Sequence, residues 1–295
     1  MTRNAAHNHI PLTLLYAPGN RPDRVAKALV AGADVVVIDL EDAVVPAQKT
    51  AARSHLAPAL SEWGGSPQVQ VRVNARGSEW HKADLETVAE LDLRVGIRLP
   101  KVHSAEDVQA AATTDPARGI HALIESALGV ENAFGIASAG VISVGLGEAD
   151  LRSSLGLRAG AAGEPGLAWQ RARIVNAAAA AGLLPPLMSV YTNVRDEDGL
   201  RRSCEAGRAL GFLGRSAIHP AQLAPIRESF TPTHAEVLQA EETLRRVGDR
   251  TSDAAGTVVL ADGSFIDAAM VETARRVLGI AQQNGNAGDE DNNSV

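Results

Sequence analysis

Gly119-Ile-His-Ala-Leu-Ile-Glu125 and Gly140-Val-Ile-Ser-Val-Gly-Leu-Gly-Glu-Ala-Asp150 decide the reading of this chain, because each is a short apolar run that ends in an acid. A run of about five apolar residues bounded by Gly reads as a strand buried on both faces, the habit of parallel sheets. The acids then stand at neighbouring strand ends, where parallel α/β sheets build their sites. Glu125 and Asp150 are therefore candidate ligands of one hard divalent cation. Paired carboxylates without His or Cys suit Mg²⁺, which prefers oxygen donors and keeps several waters. The competing expectation is that these acids only cap the following helices or pair with cations in the barrel mouth. Glu148 stays an alternative to Asp150 at this point.

Outward from this pair, the same alternation recurs. Residues 12–17 read as a first strand ended by the turn Pro18-Gly19-Asn20, followed by helical spacing over 23–31 that stops at Gly32. Residues 33–39 form a β-branched second strand that delivers Asp39, Glu41 and Asp42 together at its end. Further strands are expected over 69–73, 96–99, 186–190 and 216–218. Helices are expected over 49–60, broken near Pro58, and over 82–91, 105–112, 130–138, 169–181 and 196–209. Eight strand-then-helix units in about 220 residues are the count of a (β/α)8 TIM barrel, with a doubly wound open sheet as the rival. The stretch 153–166, rich in Gly and Ala, is the one long irregular loop in that core and is expected to be a lid or binding loop.

Beyond the barrel, assigned to 12–226, an exposed helix over 234–247 carries Glu241, Glu242, Arg245 and Arg246 at ion-pairing spacing. Val258-Val-Leu260, the turn Asp262-Gly263 and Ile266-Asp267 make a small hairpin before a helix over 268–278. Residues 227–281 are a small C-terminal extension, while 1–11 and the acidic tail 282–295 lack the apolar content to fold.

A chain of 295 residues with 45% hydrophobic residues suffices for one large core or two ordinary ones, and a formal net charge of −7 argues against a general grip on nucleic acid. No stretch resembles a transmembrane span or a secretory signal, and Cys204 is the single cysteine, so a reducing cytoplasmic setting is expected. Arg72, at the end of a buried strand, requires anions: it pairs with the acidic cluster or binds a substrate carboxylate or oxyanion. For Asp39, Glu41 and Asp42 the expected partners are Arg53, Arg72 or Lys101. Gly145-Leu-Gly147 lacks the third glycine of a dinucleotide fingerprint. His219 reads as a helix-start or packing residue and Cys204 as structural, while His7 and His9 carry no weight.

The blocks Tyr16-Ala-Pro-Gly-Asn20, Ile38-Asp-Leu-Glu-Asp-Ala-Val44, Val71-Arg-Val-Asn74, Leu99-Pro-Lys-Val102, Leu123-Ile-Glu-Ser126, Gly147-Glu-Ala-Asp-Leu151, Gly214-Arg-Ser-Ala-Ile-His-Pro220 and Gly263-Ser-Phe-Ile-Asp267 resemble, in order, those of the citrate lyase β-subunit-like (HpcH/HpaI aldolase) family. The likeness is greatest to its malyl-CoA and citramalyl-CoA lyase branch. The resemblance implies a TIM barrel, dependence on Mg²⁺, an acyl-CoA substrate with a small 2-keto acid, and a homotrimer or hexamer. It places Glu125 and Asp150 on the metal acids and Arg72 on the substrate-binding arginine. Tyr16 and Lys27 match positions that contact substrate or CoA, and Ile218 and His219 match a block lining the same pocket. Asp267 matches the catalytic acid that longer members place in a neighbouring subunit's site.

Two departures bear on substrate identity. The usual Gly-x-Glu-Asp-Leu is here Gly-Glu-Ala-Asp-Leu, which shifts Glu148 by one position, and Arg215 stands where Lys is usual. The reading is then a Mg²⁺-dependent lyase cleaving, or forming by Claisen-type condensation, a 3-hydroxyacyl-CoA such as malyl-CoA or citramalyl-CoA. A citrate lyase β subunit or a class II aldolase acting on free 2-keto acids is the enzymatic alternative. A non-catalytic acyl-CoA-binding protein is the alternative of another class.

Overall fold

The computed structural model describes residues 10–247, 258–259 and 265–290. They fall into two compact units, Pro11–Phe230 and the segment from Thr231 onward together with Ile10.

In the first unit the strands are β1 (Thr13–Pro18), β2 (Val35–Asp39), β3 (Gln68–Arg72), β4 (Gly96–Leu99), β5 (Ile120–Ile124), β6 (Ser143–Leu146), β7 (Leu187–Met188) and β8 (Gly214–Ala217). All pairings are parallel, in the order β6-β5-β4-β3-β2-β1-β8-β7. That order never reverses, as a doubly wound sheet requires, so the sheet curls on itself. β6 and β7 lie side by side without a backbone ladder, and the Glu148 N–H donates to Ser189 Oγ at 3.2 Å across that seam. The result is a nearly closed (β/α)8 barrel.

The reason is most visible in β2, whose five residues Val-Val-Val-Ile-Asp are all buried. Val35 and Val37 pack inward with Leu14, Tyr16 and Leu187, while Val36 and Ile38 face the opposite way by strand alternation. Each fully buried side chain of this size contributes about 1.5–3 kcal/mol. At the N-terminal end of the barrel, Asp34 Oδ2 accepts from the Leu12 and Thr13 N–H groups at 2.9 and 2.8 Å. Asp34 Oδ1 meets Arg227 Nη2 at 2.9 Å, which ties the last helix of the unit to the first two strands.

The surrounding helices are α1 (Pro22–Leu29), α2 (Lys49–Ser54), α3 (Leu56–Ala59), α4 (His81–Ala89), α5 (Ala105–Ala112), α6 (Ala127–Glu131), α7 (Ala133–Ala137), α8 (Glu148–Ser154), α9 (Ala168–Ala180), α10 (Glu197–Ala209) and α11 (Leu223–Phe230). The break expected near Pro58 falls at His55, because Pro58 has no N–H for the Ser54 carbonyl and its ring crowds it. The helix expected over 130–138 starts earlier, where Ser126 Oγ accepts the Gly129 N–H at 3.1 Å, and is interrupted at Asn132. The stretch 153–166 is not an open irregular loop: α8 ends at Ser154 and Gly160–Leu167 is a 3-10 helix. Glu164 holds it down by pairing with Arg152 and, at 2.9 Å, with Arg171.

The second unit contains α12 (His234–Val247), the antiparallel pair β9 (Val258–Val259) and β10 (Phe265–Ile266), and α13 (Ala268–Glu290). Leu244, Val247 and Val271 pack together. On α12, Glu242 pairs with Arg245 and Arg246 at 2.7 and 2.6 Å. α13 continues past 278, so 282–290, expected to be disordered, is helical. Residues 1–9, the turn Asp262-Gly263 and 291–295 lie outside the described residues. Among the described residues no helix is long and apolar enough to cross a membrane.

Candidate active site

The acids and Arg72 converge where the barrel strands end at their C-terminal face. Asp39 and Arg72 are register partners on β2 and β3, so their side chains emerge on the same face. Arg72 forks onto Asp39, Nε to Oδ1 at 2.8 Å and Nη2 to Oδ2 at 2.6 Å. Its Nη1 reaches Glu41 Oε2 at 3.0 Å and Asp42 Oδ2 at 3.2 Å, and its guanidinium lies 5.2 Å from the Tyr16 ring centre. Burial opposes the charge, but Asp39 and Glu41 keep Arg72 protonated well above its ordinary range. Arg53, a third expected partner of these acids, pairs instead with Asp84 at 2.8 Å.

Glu125 follows β5 and is buried, and Asp150 lies in the first turn of α8 with its side chain 46% exposed. Between them stands Lys101, just after β4. Its N–H donates to Glu125 Oε2 at 3.0 Å, and its ammonium lies 2.8 Å from Glu41 Oε1, 3.2 Å from Asp150 Oδ2 and 3.5 Å from Asp42 Oδ1. Lys101 has φ 51°, the left-handed region that a residue with a side chain rarely occupies. That conformation aims its N–H at Glu125. Glu125 is pushed up to about 8, first by burial and then by the charges of Glu41 and Asp150. Burial likewise raises Glu41, whereas the Glu41 carboxylate holds the Lys101 ammonium above its usual value against desolvation.

These features fit a hard divalent cation. Asp150 Oδ2 is enclosed and lacks a well-directed donor, with the Lys101 ammonium 3.2 Å away. Among the described residues no group of three or more His, Cys, Asp or Glu side chains is arranged to hold a metal ion, so the candidate donor set is the pair Glu125 and Asp150. Mg²⁺ is commonly held by one or two carboxylates, with water or substrate filling the other positions. A Cβ at Gly147 would collide with the Glu125 carboxylate, so the residue that follows β6 must be glycine for Glu125 to lie there. Helix capping does not account for Glu125, since Ser126 caps α6, whereas Asp150 does lie in the first turn of α8. Glu148 is removed from candidacy by Arg171, whose Nε meets it at 2.7 Å.

A cavity of about 370 Å³ opens here, lined by Tyr16, Arg72, Arg98, Glu125, Asp150 and Ile218 among others. A second cavity of about 490 Å³ is lined by Tyr16, Arg24, Lys27, Ile218 and His219, so Tyr16 and Ile218 line both. Among the described residues Arg24 and Lys27 make no ion pair. His219 starts a short 3-10 helix, its Nδ1 accepting the Ala221 N–H at 3.2 Å. Asp267 belongs to the second unit, where its Oδ1 accepts the Met270 N–H at 2.9 Å at the start of α13. Cys204 is buried, with Arg215 Nη1 3.9 Å from its Sγ.

Two participants escape sequence reasoning as site residues. Lys101 was expected only as a partner of acids, and Arg98 was not singled out. The available signal for Arg98 was a charge in the middle of the buried run Gly96-Ile-Arg-Leu99.

Comparison with known proteins identifies the family. A family model described as HpcH/HpaI aldolase/citrate lyase matches residues 12–220. The (3S)-malyl-CoA thioesterase of Cereibacter sphaeroides strain KD131 is 36% identical over 283 residues, covering 94% of this chain and 97% of that protein. Citrate lyase subunit beta of Leuconostoc mesenteroides subsp. cremoris is 33% identical over 286 residues, covering 92% and 93%. The crystal structure of the protein CitE from Mycobacterium tuberculosis in complex with magnesium, acetoacetate and coenzyme A is similar with a TM-score of 0.77 and 32% identity, covering 94% of this chain and 100% of that one. The chain belongs to the HpcH/HpaI aldolase/citrate lyase family.

Proposed function

We propose that the protein is a Mg²⁺-dependent carbon–carbon lyase that cleaves a 3-hydroxyacyl-CoA such as malyl-CoA or citramalyl-CoA, or forms it by the reverse condensation. The observation that carries this reading is the Glu125–Asp150 carboxylate pair, with Lys101 touching one acid through its N–H and the other through its ammonium, on a cavity that shares Tyr16 and Ile218 with a cationic one. Support comes from a relative named for malyl-CoA, another named citrate lyase, and a similar structure holding magnesium and coenzyme A.

Glu125 and Asp150 would hold the cation, which supplies Lewis acidity to the substrate's carboxylate and neighbouring oxygen. Arg72, fixed by its fork onto Asp39, presents a preoriented positive charge to the oxygen on which charge develops as the carbon–carbon bond breaks. One such donor is worth about 3 kcal/mol in barrier height. Lys27 and Arg24 supply cations for the phosphates of CoA, and exposed Ile218 supplies an apolar lip beside them. Asp267, from a neighbouring subunit of a trimer or hexamer, takes the methyl proton of acetyl-CoA in the condensation direction. Mg²⁺ and CoA dependence separate this reading from an aldolase of free 2-keto acids, and turnover separates it from a binding protein.

The relative named as a thioesterase favours a second reading, hydrolysis of the same thioester in the same pocket. Product analysis on a panel of 3-hydroxyacyl-CoAs with Mg²⁺ distinguishes the two. A lyase releases a 2-oxo acid and acetyl-CoA or a homologue, whereas a thioesterase releases free CoA and the intact hydroxy acid. The latter products alone would overturn the lyase reading.

A further inference from the structure

Three acids surround the Lys101 ammonium, and they are unequal. Glu41 Oε1 lies 2.8 Å away, Asp150 Oδ2 3.2 Å and Asp42 Oδ1 3.5 Å. Glu41 is 5% exposed, whereas the side chains of Asp150 and Asp42 are 46% and 57% exposed. An ion pair open to solvent contributes little, so the buried acid has the stronger hold on the ammonium. Hydrogen bonding agrees: Lys101 Nζ donates to Glu41, and among the described residues Asp150 Oδ2 accepts from no well-directed donor.

Glu41 is also the acid that is held in place. The buried Lys49 ammonium donates to the carbonyls of Leu40 and Glu41 at 2.8 and 2.7 Å, and the Asn74 amide donates to the Leu40 carbonyl at 3.0 Å. Glu41 Oε2 lies 3.0 Å from Arg72 Nη1, so the residue is fixed at its backbone and at its carboxylate. Lys101, in contrast, is anchored by its N–H on Glu125 and carries its charge on a flexible four-carbon stem. A second cation at Asp150 repels that ammonium. The ammonium can withdraw without making a new contact, because Glu41 already accepts from it.

We propose that Glu41 is a positioning residue of the candidate cation site: it retains the Lys101 ammonium and so leaves Asp150 to a divalent cation. This rests on the Glu125–Asp150 cation site proposed above and adds to it a residue that acts through Lys101. Without the Glu41 charge, the ammonium has Asp150 and the exposed Asp42 left to it. It then settles on Asp150, in competition with the cation.

The test is a double-variant cycle, read by calorimetric titration of the full chain with Mg²⁺ at about pH 9, where Glu125, pushed up to about 8, is ionised. Glu41→Gln keeps the shape of the side chain and removes its charge. In the protein that carries Lys101 it should weaken Mg²⁺ binding by about tenfold, the low end for a charge-assisted contact. In the Lys101→Gly background only the direct attraction between Glu41 and the cation is lost, and the factor should be at least about threefold smaller, a coupling within the range for residues in contact. Glu41→Asp, which keeps the charge on a shorter stem, should show the same inequality with a smaller loss and guards against a Gln variant that does not fold. Equal factors in the two backgrounds, or no loss in the protein that carries Lys101, overturn the role of Glu41 and leave the cation site standing. Absence of Mg²⁺ binding by the wild type overturns the cation site, and the role of Glu41 with it.

Discussion

The Lys101 N–H donates to Glu125 Oε2 at 3.0 Å while the same residue's ammonium lies 3.2 Å from Asp150 Oδ2, so one side of one residue serves each acid of the candidate cation pair. The backbone contact requires φ 51° at Lys101, and glycine adopts that conformation freely.

Lys101→Gly should therefore keep the contact to Glu125 and remove only the ammonium. The metal-free protein should lose about 1–3 kcal/mol, the worth of a charge-assisted contact whose buried acceptor is left alone. Added Mg²⁺ should raise the melting temperature of the variant by more than that of the wild type, because the ammonium no longer competes for Asp150. An equal Mg²⁺-induced shift in both proteins would show that Lys101 does not occupy the cation's place.

Glu125, pushed up to about 8 from an ordinary 4.5, gives a pH dependence of definite sign. Between these values the folded protein holds a proton that the unfolded chain has released, so its contribution to metal-free stability is greatest at low pH and falls as pH rises towards 8. Cation binding needs the carboxylate, so it should release about one proton below pH 8, with affinity rising about tenfold per pH unit. Calorimetry of Mg²⁺ binding in two buffers of different ionisation heat measures the proton released. Glu125→Gln should abolish both the release and the pH slope.

Arg72 carries a structural and a chemical role that a pair of variants separates. Arg72→Met leaves Asp39, 1% exposed, without its bidentate partner and should cost about 3–5 kcal/mol in denaturant unfolding. Adding Asp39→Asn should recover most of that stability. Turnover should stay lost in the double variant, and recovered turnover would confine Arg72 to a structural role.

The barrel was legible because its signals are local: β2 is apolar through the middle and ends in Asp39, and β5 and β6 end beside Glu125 and Glu148. Hydrophobic runs of that kind specify strands buried on both faces wherever they lie. The pairing of Asp39, Glu41 and Asp42 with Arg72 and Lys101 was legible as charge balance, whereas the fork of Arg72 onto Asp39 was not, since it depends on the register of β2 and β3. The left-handed backbone at Lys101 and the orphaned guanidinium of Arg98 are likewise products of tertiary contact. The stretch 153–166 misled because Gly and Ala carry little periodic signal, whereas the ion pairs of Glu164 and Arg171 that organise it span distant positions.

Asp267 makes a prediction about assembly. If it acts in a neighbouring subunit's site, mixing inactive Glu125→Gln and Asp267→Asn proteins under conditions of subunit exchange should restore a fraction of the activity. No recovery in demonstrably mixed oligomers would remove Asp267 from a shared site.

The most direct measurement of the central claim is product release from a panel of 3-hydroxyacyl-CoAs, with Mg²⁺ and with chelator, by the wild type, Glu125→Gln and Asp150→Asn. The account predicts a 2-oxo acid and an acyl-CoA from the wild type with Mg²⁺ only, and a fall of at least about 100-fold in either variant. Cleavage that persists in chelator, or at wild-type rate in both variants, would contradict it.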